Sequence, residues 1–178
     1  MPHQDSLLDR IHRTPDAAAL LAWPFDFDIT RTDPVEPVHL ESGTPLEPIA
    51  GDGSGGTFFL CGQAADNRPV LFADSEGQAG VIGHDLTSTL ELIVCVPYWR
   101  DCLAFSPHGA VAMASATAAL ETEFDHADIN ASRARLAELL SLRIPSTEEA
   151  LSRLLEALAL PDFTLLNESD LAYEPLGG

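Results

Sequence analysis

The chain has no lysine. Its 9 basic side chains are all arginine and stand against 28 aspartates and glutamates, a formal net charge of −19. That balance repels a phosphate backbone and argues against nucleic acid as a direct partner, while it attracts basic proteins. Solubility, or a genome that avoids lysine codons, would produce the same excess, so charge alone selects no function. Cysteine is also scarce: Cys61, Cys95 and Cys102 are an odd number, each inside an apolar segment. They read as buried free thiols, with a catalytic or redox role as the alternative. No apolar run approaches the ~18 residues of a membrane span. The opening MPHQDSLLDRIHR has early acids and no apolar stretch of signal-peptide type, which makes a cytoplasmic setting the expectation.

The 178 residues suit one domain, which at this size buries roughly 70% of the surface its unfolded chain exposes. A short helical pattern covers Ser6 to Arg13. Thr14-Pro15-Asp16 then reads as an N-cap with proline at the first helical position, opening a helix that stops at Trp23 before Pro24. FDFDI follows, and prolines 34, 37, 45 and 48 punctuate a polar loop or edge strand. This N-terminal arm, about residues 1–45, is expected to lie over the main body.

From Leu46 the runs LEPIA, TFFLC, PVLFA and AGVIG, each bounded by turn residues, predict an antiparallel meander over about residues 46–82. TFFLC and PVLFA are apolar on both faces, as central strands covered on both sides would be. Asp74-Ser75-Glu76-Gly77 has the order a type I turn prefers. Asp85 reads as an N-cap for a helix carrying Leu86, Leu90, Ile93 and Val94. Tyr98, Cys102 and Phe105 continue an apolar face beyond Pro97. A helical C-terminal extension is expected from about residue 106 to 178, with Met113, Leu120 and Phe124 on one helix, and Ile129, Leu136, Leu139 and Leu140 on the next. Ser146 and Glu149 form a capping box for the last, which buries Leu151, Leu154, Leu155 and Leu158. The fold class is α+β: a small, mainly antiparallel sheet packed with helices.

Gly51, Gly53 and Gly56 match the spacing of a dinucleotide fingerprint, but that motif needs a helix after its third glycine. Here Thr57-Phe58-Phe59-Leu60-Cys61 is a strand, so the glycines read as a turn. A P-loop requires the lysine this chain lacks. Cys95, Cys102 and His108 do not have structural-zinc spacing, and no serine sits in a nucleophile elbow. No cofactor, metal or catalytic set is therefore assigned. Two carboxylate pairs, Asp26 with Asp28 and Asp74 with Glu76, leave a hydrolase open as a lesser reading, because like charges sharing a strand face would raise one pKa toward a general acid. Among 28 acids such pairs also arise by chance. Tyr98-Trp99-Arg100-Asp101 brings together residue types that dominate binding hot spots, or else a helix edge covering the sheet.

The glycine turn DGSGG entering TFFLC, the strand PVLFADSEG that begins with proline and ends with acids, and the helix DLTSTLELIV together resemble the SUKH superfamily. That group includes fungal cell-wall-assembly regulators and bacterial toxin-immunity proteins. The resemblance covers about Leu46 to Phe105, roughly a third of the chain. It implies an α+β domain without a catalytic centre that binds and neutralises a cognate toxin, often a nuclease, with a regulatory scaffold as the alternative. The family's turn maps to Asp52 through Gly56 and its strand-end acids to Asp74 and Glu76. With Trp99 and Arg100, these give Asp52, Asp74, Glu76, Trp99 and Arg100 as the expected contacts to a basic protein partner such as a toxin domain. The departures from the family pattern are the strand ending Phe72-Ala73-Asp74-Ser75 and the long tail after Phe105.

Overall fold

In the computed structural model, which describes residues 5–123 and 128–178, the chain begins with two short helices, α1 (Leu7–Arg13) and α2 (Pro15–Ala22). Ser6 and Asp9 form a reciprocal capping box at the start of α1, which satisfies two backbone donors that helix geometry leaves unpaired. Pro15 opens α2 from its first turn. The meander follows as β2 (Leu46–Gly51), β3 (Thr57–Cys61), β4 (Val70–Ala73) and β5 (Gln78–Gly83), after a short strand β1 (Val38–Leu40). Each neighbouring pair from β2 to β5 is antiparallel.

The strands β3 and β4 are buried along their whole length, as their unbroken apolar sequences predict. Because successive strand side chains point to opposite faces, their residues divide between two cores. Phe58, Leu60, Val70 and Phe72 face the helices in the main core, whereas Phe59, Cys61, Leu71 and Ala73 face a smaller one. At the edge, β2 carries Pro48 and a register shift between Pro48 and Ala50, both of which discourage pairing with another chain.

The helical side is built from α3 (Leu86–Cys95), the short α4 (Trp99–Cys102) with a 3-10 turn at Leu103–His108, then α5 (Ala110–Glu123), α6 (Ile129–Leu140) and α7 (Thr147–Leu158). Asp85 caps α3 by accepting from the Ser88 N–H at 2.7 Å. Ser146 caps α7 in the same way through Glu149, but the Glu149 carboxylate turns to Arg143 and Arg153 instead of closing the box. The helix α7 lies on β5, where a side chain on Gly80 would meet Leu158 at 2.9 Å. Glycine there lets α7 approach the strand closely, and any larger residue would push the Leu158 side chain aside.

Four expectations are corrected. The N-terminal segment is more than an overlay: Ile11, Leu21, Phe25 and Phe27 lie inside the main core. FDFDI is not a strand, since Asp26 has φ +55° and only Asp28 bridges the sheet, opposite Gly51. Phe105 is 45% exposed instead of continuing an apolar face, because the 3-10 turn rotates successive residues differently from an α-helix. The chain after Leu158 is not helical. It forms β6 (Leu165–Asn167), antiparallel to β1, and β7 (Glu174–Pro175), parallel to β5, giving a five-stranded sheet of order β2-β3-β4-β5-β7 and a separate β1-β6 pair. Leu40 and Leu165 of that pair close the smaller core. Phe124 lies outside the described residues. Among those residues, no helix is long and apolar enough to cross a membrane.

Candidate functional site

A run of aromatic rings crosses the helix-facing side of the sheet. Phe27 meets Phe58 and Phe58 meets Phe72, each with ring centroids 4.9 Å apart, and Phe72 meets Trp99 edge-on at 5.3 Å. Such tilted contacts add about 0.5–1.5 kcal/mol each beyond the area they bury. The run ends where the Arg100 guanidinium lies 5.0 Å over the Phe72 ring and pairs with the Asp52 carboxylate. Trp99 is 3% exposed. The sequence placed it among partner contacts, but its ring is consumed by the core, and only its neighbours reach the surface.

Asp52 is likewise a buried organiser. One oxygen accepts from Ser54 N–H at 3.0 Å, Ser54 Oγ at 3.0 Å and Gly56 N–H at 2.7 Å, and the other meets Arg100. Arg31 donates to the Asp52 carbonyl, and Asp26 accepts from Gly53 N–H at 2.7 Å. The turn's backbone donors, which in a phosphate loop would face a ligand, are here occupied by two of the chain's own carboxylates. Gly56 must be glycine for a packing reason: a Cβ would lie 2.5 Å from the Phe72 ring.

Beside this turn opens a cleft of about 970 Å³, within the size range of ligand and peptide sites. Asp26, Gly53 and Ser54 line one wall, and Asp74 and Gln78 of the β4–β5 turn adjoin them. Tyr98, Arg100 and Asp101 line it from α4, with Leu103, Ala104 and Pro107 beyond, and Trp23 and Leu176 arrive from the two ends of the chain. Asp74 is fixed by its own turn, accepting from Glu76 N–H at 2.9 Å and Gln78 N–H at 2.8 Å, with Gly77 at φ +96° completing the reversal. Asp101 is exposed on the cleft lining. Burial, helped by the nearby charges of Glu121 and Asp101, holds the Tyr98 hydroxyl above its ordinary range.

Of the five expected contacts, therefore, Asp74 and Arg100 line the cleft, Asp52 lies buried behind Arg100, Glu76 sits exposed outside the cleft lining, and Trp99 is in the core. The carboxylate pairs do not form as the sequence suggested. Asp28 turns to the Thr30 hydroxyl and N–H, which together with Arg31 hold its pKa below the usual carboxylate range, opposite to the shift a general acid needs. Only Asp26 and Asp74, one from each pair, share the cleft. The sequence also missed Glu91, almost fully buried and bound by Arg153 and by the Arg143 N–H. It clamps α3 to α7. No local signal marks these residues; their proximity comes from the fold. Among the described residues, no group of three or more histidines, cysteines or acids could hold a metal ion. Comparison of the chain with protein-family models, with curated proteins and with solved structures finds no match in any of the three.

Proposed function

We propose that this chain is a non-enzymatic protein-binding module, an immunity protein of the SUKH kind that neutralises a basic, nuclease-type toxin in the cytoplasm. The observation that carries the reading is where the positive charge goes. Arg10 and Arg133 bond to carbonyls at the ends of α6 and α3, and Arg68 pairs with Glu47. Arg31 and Arg100 secure the glycine turn, Arg143 and Arg153 hold Glu149 and Glu91, and Arg13 and Arg135 pair with Asp5 and Glu138. All 9 basic side chains are thus engaged within the molecule, and the unpaired charge offered to a partner is carboxylate. Complementary potential of that kind speeds encounter with a basic protein and rejects acidic ones.

The test is genetic and direct. The basic product of the adjacent gene, expressed alone, should arrest growth, and co-expression of this chain should restore it. The absence of any basic or toxin-like neighbour, or arrest that co-expression leaves unchanged, would remove the immunity reading. A signalling protein as the co-purifying neighbour would favour a regulatory scaffold instead.

A further inference from the structure

Independently of that reading, we infer that the outward face of α5 is where a second copy of this chain docks, the two α5 helices packed antiparallel. From Cys102 to Leu120 the sequence holds no aspartate, glutamate or arginine, although charged residues make up 21% of the chain. The helix α5 is apolar or small on every side up to Leu120, the composition of a helix buried all round. Yet it buries only Met113 and Thr117. Its outward row is Val111, Ser115, Ala118 and Thr122, all exposed, Val111 to 65%. Their 4-3-4 spacing is that of a seam between two helices, and small side chains in its middle let the axes approach to ~8 Å. The row's two hydroxyls are already turned onto their own helix: Ser115 Oγ donates to the Val111 carbonyl at 3.2 Å and Thr122 Oγ1 to the Ala118 carbonyl at 2.9 Å. Covering them therefore strands no donor.

Charge selects the occupant. A basic partner gains no attraction from an uncharged row, whereas two copies of a −19 chain repel least where neither presents a carboxylate. The ends of the helix select the orientation. Its first turn has no acid and its last turn no base; instead His108 precedes the N-terminal end, and Glu121 and Glu123 stand at the C-terminal one. That is the reverse of what the dipole of a solitary helix favours. Glu121 is shared with Arg133. In a twofold antiparallel pair, Glu123 of each copy comes to the positive N-terminal end of the other, beside His108, while Ser115 faces Ala118 and Val111 faces Thr122. A seam about 21 Å long covers less than the ~1,200 Å² of a stable interface, so the pairing is reversible.

Sedimentation equilibrium of the full chain from about 10 µM to 1 mM should show a monomer–dimer equilibrium. Raising salt from ~50 to ~500 mM should tighten it about threefold, because screening weakens the net repulsion while the seam itself carries no charge. Ala118→Glu sets a carboxylate in the middle of the seam and should weaken the dimer about tenfold or more, with the melting temperature of the dilute protein unchanged. Ala134→Glu, the same change at an exposed position of α6, should leave the dimer as it is. The native thiols are buried, so cysteines placed on the seam report orientation: a mixture of Val111→Cys and Thr122→Cys proteins should cross-link to each other several-fold faster than either does to itself. A monomer at every concentration and salt, a dimer that Ala118→Glu leaves intact or that weakens with salt, or self-cross-linking as fast as cross-linking between the two variants would overturn the assignment. Failure of the chain to bind any basic partner would strike the proposed function and leave this seam in place.

Discussion

Replacing Arg100 with methionine should lower the unfolding free energy by about 3 kcal/mol. The Asp52 side chain is 2% exposed and that of Arg100 36% exposed, so the substitution strands a carboxylate that water cannot reach, while the lost cation was itself half in solvent. Breaking a buried pair costs ~3–5 kcal/mol, and the three hydrogen bonds Asp52 keeps from Ser54 and Gly56 place the cost at the low end. Methionine retains contact with the Phe72 face and forfeits only the cation–π part, about 0.5–1 kcal/mol. For a chain of this length the total corresponds to a Tm lower by about 6–12 °C. Urea denaturation and calorimetry would measure it, with Asp52→Asn and the double variant closing the cycle. Because the two side chains touch, the double variant should recover about 2 kcal/mol relative to the sum of the single ones. An Arg100→Met protein within ~0.5 kcal/mol of wild type, or strict additivity, would refute the view that this pair anchors the turn to α4.

Gly56→Ala should cost about 1–3 kcal/mol, because the Phe72 ring 2.5 Å from the new Cβ is fully buried and cannot retreat. Gly53→Ala, whose Cβ meets only Asp26 Oδ1 at 3.3 Å, is the milder control in the same denaturation assay. The three thiols are 0–7% exposed, and burial pushes that of Cys61 up to about 12. A thiol reagent at pH 8 should therefore label none of them in the native protein and all of them in denaturant; rapid native labelling would contradict their burial. Tyr173 is also raised to about 12, first by burial and then by its hydrogen bond to Glu36. A raised folded-state pKa contributes stability that is complete below the unfolded value and lost as pH climbs toward the folded one. Stability should hence fall between the ordinary values of 9.0 and 10.0 and about pH 12, with Tyr173→Phe removing part of the slope. Added sodium chloride should raise Tm by screening the self-repulsion of a −19 chain; a Tm that falls with salt would mean that the ion pairs outweigh the repulsion.

The sheet was legible because its signals are local. Four apolar runs, an Asp-first and Gly-last turn, and the Asp85 cap each act within a few residues, and β2 to β5 and α3 form where those signals lie. The β1–β6 pair and β7 were not legible, since strands of three and two residues are too short to alternate and their partners lie far away in the chain. Candidate-site residues divide in the same way. Arg100 and Asp74 carry short-range cues, whereas Trp23 and Leu176 reach the cleft only because the N-terminal segment enters the core and the C-terminal segment returns to β5. Trp99 shows the limit of residue type as a guide: a hot-spot side chain by composition, it points inward because Phe72 and the sheet need covering.

The most direct test of the account is the equilibrium and association-rate measurement of this chain with the purified basic product of its neighbouring gene at two salt concentrations. Electrostatic docking on a surface whose unpaired charge is carboxylate predicts tight binding at ~50 mM salt, with an association rate that falls roughly tenfold by ~300 mM. No complex at low salt, or an association rate indifferent to salt, would contradict it.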